Sequence, residues 1–93
     1  LDAVVRGRVQ GVGFRMFVRD RAIALDLRGW VANQADGTVR VVAEGSRERV
    51  DRLLAVLHDG PRGGRVESVD ESWMAAGGIE PGFGIRSGWH GGD

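Results

Sequence analysis

Apolar residues along this chain switch from a period of two to a period of about 3.6 and back again, twice, and that order limits the folds open to it. Ala3, Val5, Gly7 and Val9 alternate with Val4, Arg6 and Arg8, which describes a half-buried strand over Ala3–Val9. From Phe14 the spacing changes, and Phe14, Phe17, Val18, Ala22 and Leu25 form one helical stripe. Leu27–Asn33 and Gly37–Gly45 read as two strands, with Val39, Val41 and Ala43 pointing one way. The Asp36-Gly37 step between them is a strong hairpin signal. Ser46 is suited to cap a second helix, whose stripe is Val50, Leu53, Leu54 and Leu57. Gly60 and Pro61 stop it. Val66–Trp73 reads as a fourth strand with Val69 and Trp73 on one face, and Phe83 and Ile85 suggest a short fifth. Each helix has a single apolar stripe, and two helices cannot cover both faces of a four-stranded sheet. Both are therefore expected on one face, in an α+β ferredoxin-like sandwich: βαββαβ with an antiparallel sheet of four to five strands.

Ninety-three residues suffice for one two-layer core, taken as a domain over residues 1–86 followed by a flexible Gly-rich tail, Ser87–Asp93. Cysteine is absent, which removes disulfides, thiolate nucleophiles and sulfur-ligated metals and favours a reducing compartment. No apolar run approaches the roughly 20 residues of a membrane span, and the first residues carry no charged-then-apolar signal pattern. A cytoplasmic location with no membrane partner is expected. Thirteen basic residues, all arginine, balance thirteen acidic ones. Zero net charge argues against an extended nucleic-acid partner. RNA binding on an open sheet face would also want stacking aromatics on the central strands. A small anion held by one or two arginines remains open.

The stretch "GRVQGVGFR", Gly7–Arg15, contains no Asp, Glu, His or Cys. It joins a strand end to a helix start. Gly11 and Gly13 allow successive N–H groups to turn inward, and the first free amides of the helix complete such a nest as an anion site. Arg15 in the first helical turn is unfavourable beside the positive end of the helix dipole unless an anion lies between them. The alternative is that the two glycines only shape a tight turn and Arg15 points to solvent. A dinucleotide fingerprint is excluded because Met16 stands where the third glycine belongs, and a P-loop because there is no lysine.

Asn33 ends a largely apolar strand just before the hairpin turn. It is either a turn-forming residue or an amide held at a sheet end, able to donate to and accept from one water molecule. Other polar candidates read as structural. His58 in the last turn of the second helix suits the dipole as a surface cap. His90 lies in the tail. Glu67, Asp70 and Glu71 read as exposed strand residues, Arg8 and Arg40 as solvated charges, and Trp30, Trp73 and Phe83 as core or edge packing.

"GRVQGVGFR" followed by "GWVANQADGTVRVVAEG", with thirteen residues between Arg15 and Gly29, resembles the two signature blocks of the acylphosphatase family. The resemblance runs from about Ala3 to Arg86. It implies the ferredoxin-like fold and hydrolysis of the carboxyl–phosphate anhydride of small acyl phosphates. It also implies Arg15 as the phosphate-binding arginine, Asn33 as the residue that positions the attacking water, and Gln10, Gly11, Val12, Gly13 and Phe14 as the phosphate-binding loop. Gly13 stands where this family often carries a bulkier residue. The expected protein is a monomer that needs no metal or other cofactor, with inorganic phosphate as product and competitor. The resemblance extends to the acylphosphatase-like domain of hydrogenase-maturation carbamoyltransferases, and a non-catalytic anion-binding module of the same fold is the alternative function.

Overall fold

A computed structural model describes residues 1–75 and 77–86. The elements follow in the order β1 (Asp2–Arg8), α1 (Phe14–Ala24), β2 (Arg28–Asn33), β3 (Val39–Glu44), α2 (Arg47–Asp59), β4 (Arg65–Ser72) and β5 (Phe83–Arg86). Their order across the sheet is β4-β1-β3-β2-β5. Alternation in the strands sends Ala3, Val5, Val31, Val39, Val41 and Ala43 to one face, where all are buried. The helices cover that face with Phe14, Val18 and Ala22 from α1 and Val50, Leu53 and Leu57 from α2. Val5 sits at the centre, opposite Val39 on one side and Val69 on the other.

Local chemistry sets the helix ends. The Ser46 side chain accepts from the Arg49 amide at 3.3 Å, and Gly60 closes α2 at φ 68°. At the end of α1 the residue after the Leu25 C-cap is Asp26 rather than glycine, at φ 56°. The Asp26 amide donates to Ile23 O and the Leu27 amide to Ala22 O, a paired closure that uses two of the last free carbonyls. Asp26 tolerates this conformation better than a β-branched residue would.

One expectation needs correction. The sheet is mixed, not wholly antiparallel: β5 lies parallel to β2, with Gly29 opposite Phe83 and Val31 opposite Ile85. β4 and β5 occupy opposite edges, so their connection crosses the molecule instead of turning back as a hairpin, and Phe83 closes the core beyond β2. Trp73 is not core. It follows β4, is exposed, lies under the Arg47 guanidinium at 3.7 Å and donates to Glu71 at 3.1 Å. Trp30 is half-buried on the face without helices, with Arg40 and Arg86 over its ring. Phe83 is buried as expected. His90 and the tail Ser87–Asp93 lie outside the described residues. Among the described residues no helix is long and apolar enough to cross a membrane.

Candidate active site

The loop after β1 is shaped by its glycines and pinned by its neighbours. Gly11 and Gly13 have φ of 74° and 73°, the left-handed region that side chains rarely occupy. A Cβ at Gly13 would meet nothing within 4 Å, so it is the left-handed backbone, not lack of space, that favours glycine there. Val9 and Phe14 are buried on either side, and Val12 packs against the same core. The bend is thus held between two anchors while its middle faces outward.

Gly13 is also the residue before α1, and no side chain caps that helix end. No acidic residue stands in the first turn. The amides of Gly11, Val12, Gly13 and Phe14 donate to no group among the described residues. Uncapped amides beside a helix start have the geometry and the partial positive charge that suit an anion. Arg15, the second residue of α1, is half-buried, with its Nε shielded from solvent. Its charge reinforces the same end of the helix.

Asn33 is the last residue of β2, opposite Val39, and is only 3% exposed. Strand alternation puts it on the same face as Val31, the face that carries α1. Arg15 and Asn33 are therefore on one side of the sheet. The loop is tied to the hairpin beyond Asn33 by Gln10, whose Nε2 donates to Gln34 O at 2.8 Å and to Thr38 O at 2.9 Å. These two contacts escape sequence reasoning, since their acceptors are backbone carbonyls. The Thr38 hydroxyl and amide both donate to Asp36 Oδ1, at 2.6 and 3.1 Å. Those bonds hold the Asp36 carboxyl below the usual carboxylate range.

The remaining candidates lie elsewhere. His58 is exposed in the last turn of α2. Glu67, Asp70 and Glu71 are exposed on β4, and Asp70 accepts from Arg6 Nε at 2.8 Å. Arg8 is exposed, while Arg40 is half-buried and held by Asp2 rather than freely solvated. An apolar groove of about 480 Å³ between Trp30, Val42, Trp73 and Met74 lies at the Glu44 end of β3, the end away from Asn33. Among the described residues no three His, Asp or Glu side chains gather as metal ligands.

A glycine-bent loop, an arginine in the first turn of the helix that follows it and a buried amide on the same face make up the candidate site. The family model Acylphosphatase matches residues 1–85. The chain belongs to the acylphosphatase family. A curated acylphosphatase of Salinibacter ruber is 49% identical over 86 residues, which is 92% of this chain and 90% of that one. An acylphosphatase of a Mycobacterium species, strain JLS, is 54% identical over 76 residues, covering 82% and 81% of the two chains. The crystal structure of acylphosphatase from Bacillus subtilis superposes with a TM-score of 0.80 at 38% identity, over 91% of this chain and 94% of that one. The ferredoxin-like fold read from the sequence is thus the fold of solved acylphosphatases.

Proposed function

We propose that this chain hydrolyses small acyl phosphates, releasing a carboxylate and inorganic phosphate, with Arg15 and the loop Gln10–Phe14 holding the phosphoryl group and Asn33 orienting the water. One observation carries this reading: the uncapped, glycine-bent loop and Arg15 share a sheet face with the buried Asn33, and the loop supplies no acid–base side chain. Such a site suits a substrate that needs little proton chemistry.

In an acyl phosphate the leaving group is already a carboxylate, so no general acid is required. The site has to hold the phosphoryl group, offset the charge on its equatorial oxygens and align a water opposite the leaving oxygen. The Arg15 guanidinium offers two parallel N–H donors, and loop amides offer more. Asn33 does not ionise near neutral pH. It can hold a water by accepting one hydrogen bond and donating another, but it cannot take the proton. Water oxygen bonds to phosphorus, the bridging P–O bond breaks, and its electron pair leaves with the carboxylate. The proton that water sheds goes to a phosphoryl oxygen, giving dihydrogen phosphate. The acid–base group arrives with the substrate.

The reading includes a cytoplasmic monomer acting on a free small molecule. Zero net charge supports it, since a nucleic-acid partner would favour a basic surplus.

Benzoyl phosphate hydrolysis in ¹⁸O-labelled water tests the reaction. The expected result is turnover that puts the label in phosphate and none in benzoate. Label in benzoate would mean attack at carbon and overturn the Asn33 geometry. Phosphate binding without hydrolysis would make the chain an anion-binding module.

A further inference from the structure

Gln10 opens the proposed phosphate-binding loop, yet its side-chain nitrogen is committed to the hairpin. A carboxamide nitrogen has two hydrogens. Both are used on the hairpin: one goes to Gln34 O at 2.8 Å and the other to Thr38 O at 2.9 Å. Each acceptor already closes the hairpin. Gln34 O takes the Gly37 amide at 3.1 Å, and Thr38 O takes the Gln34 amide at 2.8 Å. Gln10 is thus bonded to both ends of the turn that directly follows Asn33.

The hairpin is itself stiff. Asn33 and Val39 form the last pair of the β2–β3 ladder, and the Gln34 side chain donates to the Thr38 hydroxyl at 2.9 Å. That hydroxyl in turn donates to Asp36. A short, braced hairpin moves as one piece, so fixing its end fixes Asn33. The loop that Gln10 begins leads within five residues to Arg15. One half-buried side chain therefore spans the two segments that carry the reaction, which are otherwise remote in sequence.

We propose that Gln10 is a positioning residue, which sets the separation between the phosphoryl cradle and Asn33 and so the alignment of water with phosphorus. This rests on the acyl phosphate reading above. In-line attack is sensitive to small errors of placement: misplacement by about 1 Å can cost on the order of 10²-fold in rate. Loss of the Gln10 bonds should loosen that alignment while leaving the loop amides and Arg15 in place.

The test replaces Gln10→Met, which keeps length and apolar bulk but donates nothing, and Gln10→Glu, whose carboxylate would face two carbonyl oxygens. The readouts are kcat on benzoyl phosphate and inorganic phosphate affinity by calorimetry, with melting curves establishing that each variant is folded at the assay temperature. Gln10→Met should lower kcat by about 10-fold or more and keep phosphate affinity within about threefold. In an Asn33→Ala background it should lower kcat no further, because residues that act as a unit are not additive. A folded Gln10→Met with wild-type kcat, or losses that multiply in the double variant, would overturn the proposal. So would unchanged kcat with lost phosphate affinity, which would make Gln10 a phosphate ligand. Should neither variant fold, Gln10→Asn replaces them; its shorter reach must miss at least one carbonyl, and wild-type kcat there would also overturn it. Wild-type protein without any hydrolysis would count against the acyl phosphate reading itself, a distinct result.

Discussion

Arg40 on β3 grips Asp2 on β1 through two nitrogens, Nε at 3.0 Å and Nη2 at 2.6 Å, across the face of the sheet that carries no helix. That fork holds the Asp2 carboxyl below its usual value near 3.8, against the opposing effect of burial. A carboxyl depressed by folding stabilises the fold above its unfolded value, and that contribution is lost as pH falls through the folded one. Asp36 is shifted in the same direction by Thr38. Melting temperature should therefore decline as pH drops below about 3.8, with little change attributable to these groups from there to neutrality. Asp2→Asn should cost about 0.5–1 kcal/mol at pH 7, because the pair is partly solvated, and should shrink the acid decline. An identical melting profile for Asp2→Asn from pH 7 to pH 2 would count against any contribution from the fork.

Gly29→Ala should be far more damaging than Gly84→Ala. At Gly29 φ is 143°, and an added Cβ would run into the backbone of Val42 on the neighbouring strand. Nothing lies within 4 Å of a Cβ at Gly84, in the adjacent strand β5. Urea unfolding should put the first loss at about 2 kcal/mol or more and the second within about 0.5 kcal/mol of wild type.

Arg15→Ala and Asn33→Ala should separate binding from alignment. Under the proposed roles, phosphate should bind weakly without Arg15 and kcat should fall as well, since the guanidinium would serve both the ground state and the transition state. Asn33→Ala should lower kcat by roughly 10²-fold while phosphate affinity changes only a few-fold. Asn33→Asp should do no better, because a carboxylate repels the phosphoryl group and donates nothing. Steady-state kinetics beside phosphate titrations decide it, and an Asn33→Ala enzyme as fast as wild type would reduce Asn33 to a turn residue.

Phosphate should raise the melting temperature through the loop. At a hundredfold excess over its dissociation constant, a ligand adds about 2.7 kcal/mol by mass action. The shift should survive Asn33→Ala and largely vanish in Arg15→Ala. Equal shifts in all three proteins would locate the anion away from α1.

The pH dependence of kcat should be shallow. With no His, Asp or Glu in the loop or at Asn33, turnover should vary by less than about threefold from pH 5 to pH 8, well under the 10²-fold typical of a lost acid–base group. His58→Ala should behave as wild type, since His58 is exposed at the far end of α2. Loss of activity in a chelator, restored by a divalent ion, would reveal a metal dependence that the mechanism does not contain.

Periodicity and turn chemistry act between near neighbours, and for that reason β1, α1, the hairpin at Asp36-Gly37, the Ser46 cap and the Gly60 stop were legible from residues alone. The same holds for the glycine-bent loop, whose left-handed positions favour glycine without any tertiary partner. Asp26 was less legible, because its left-handed closure of α1 uses a residue that more often signals a helix start. Long-range choices left no local trace. The parallel pairing of β5 depends on a connection that runs from one sheet edge to the other, which no alternation of side chains encodes. Trp73 went to the surface because β4 is an edge strand that ends at Ser72, where an indole finds Arg47 instead of a core. Local sequence placed a glycine-bent loop before α1 and Asn33 before a turn, because both depend only on near neighbours. Only the tertiary structure brought Arg15 and Asn33 to one face and joined their segments through Gln10, because two backbone carbonyls, chemically alike in every residue, became acceptors solely by their position in space.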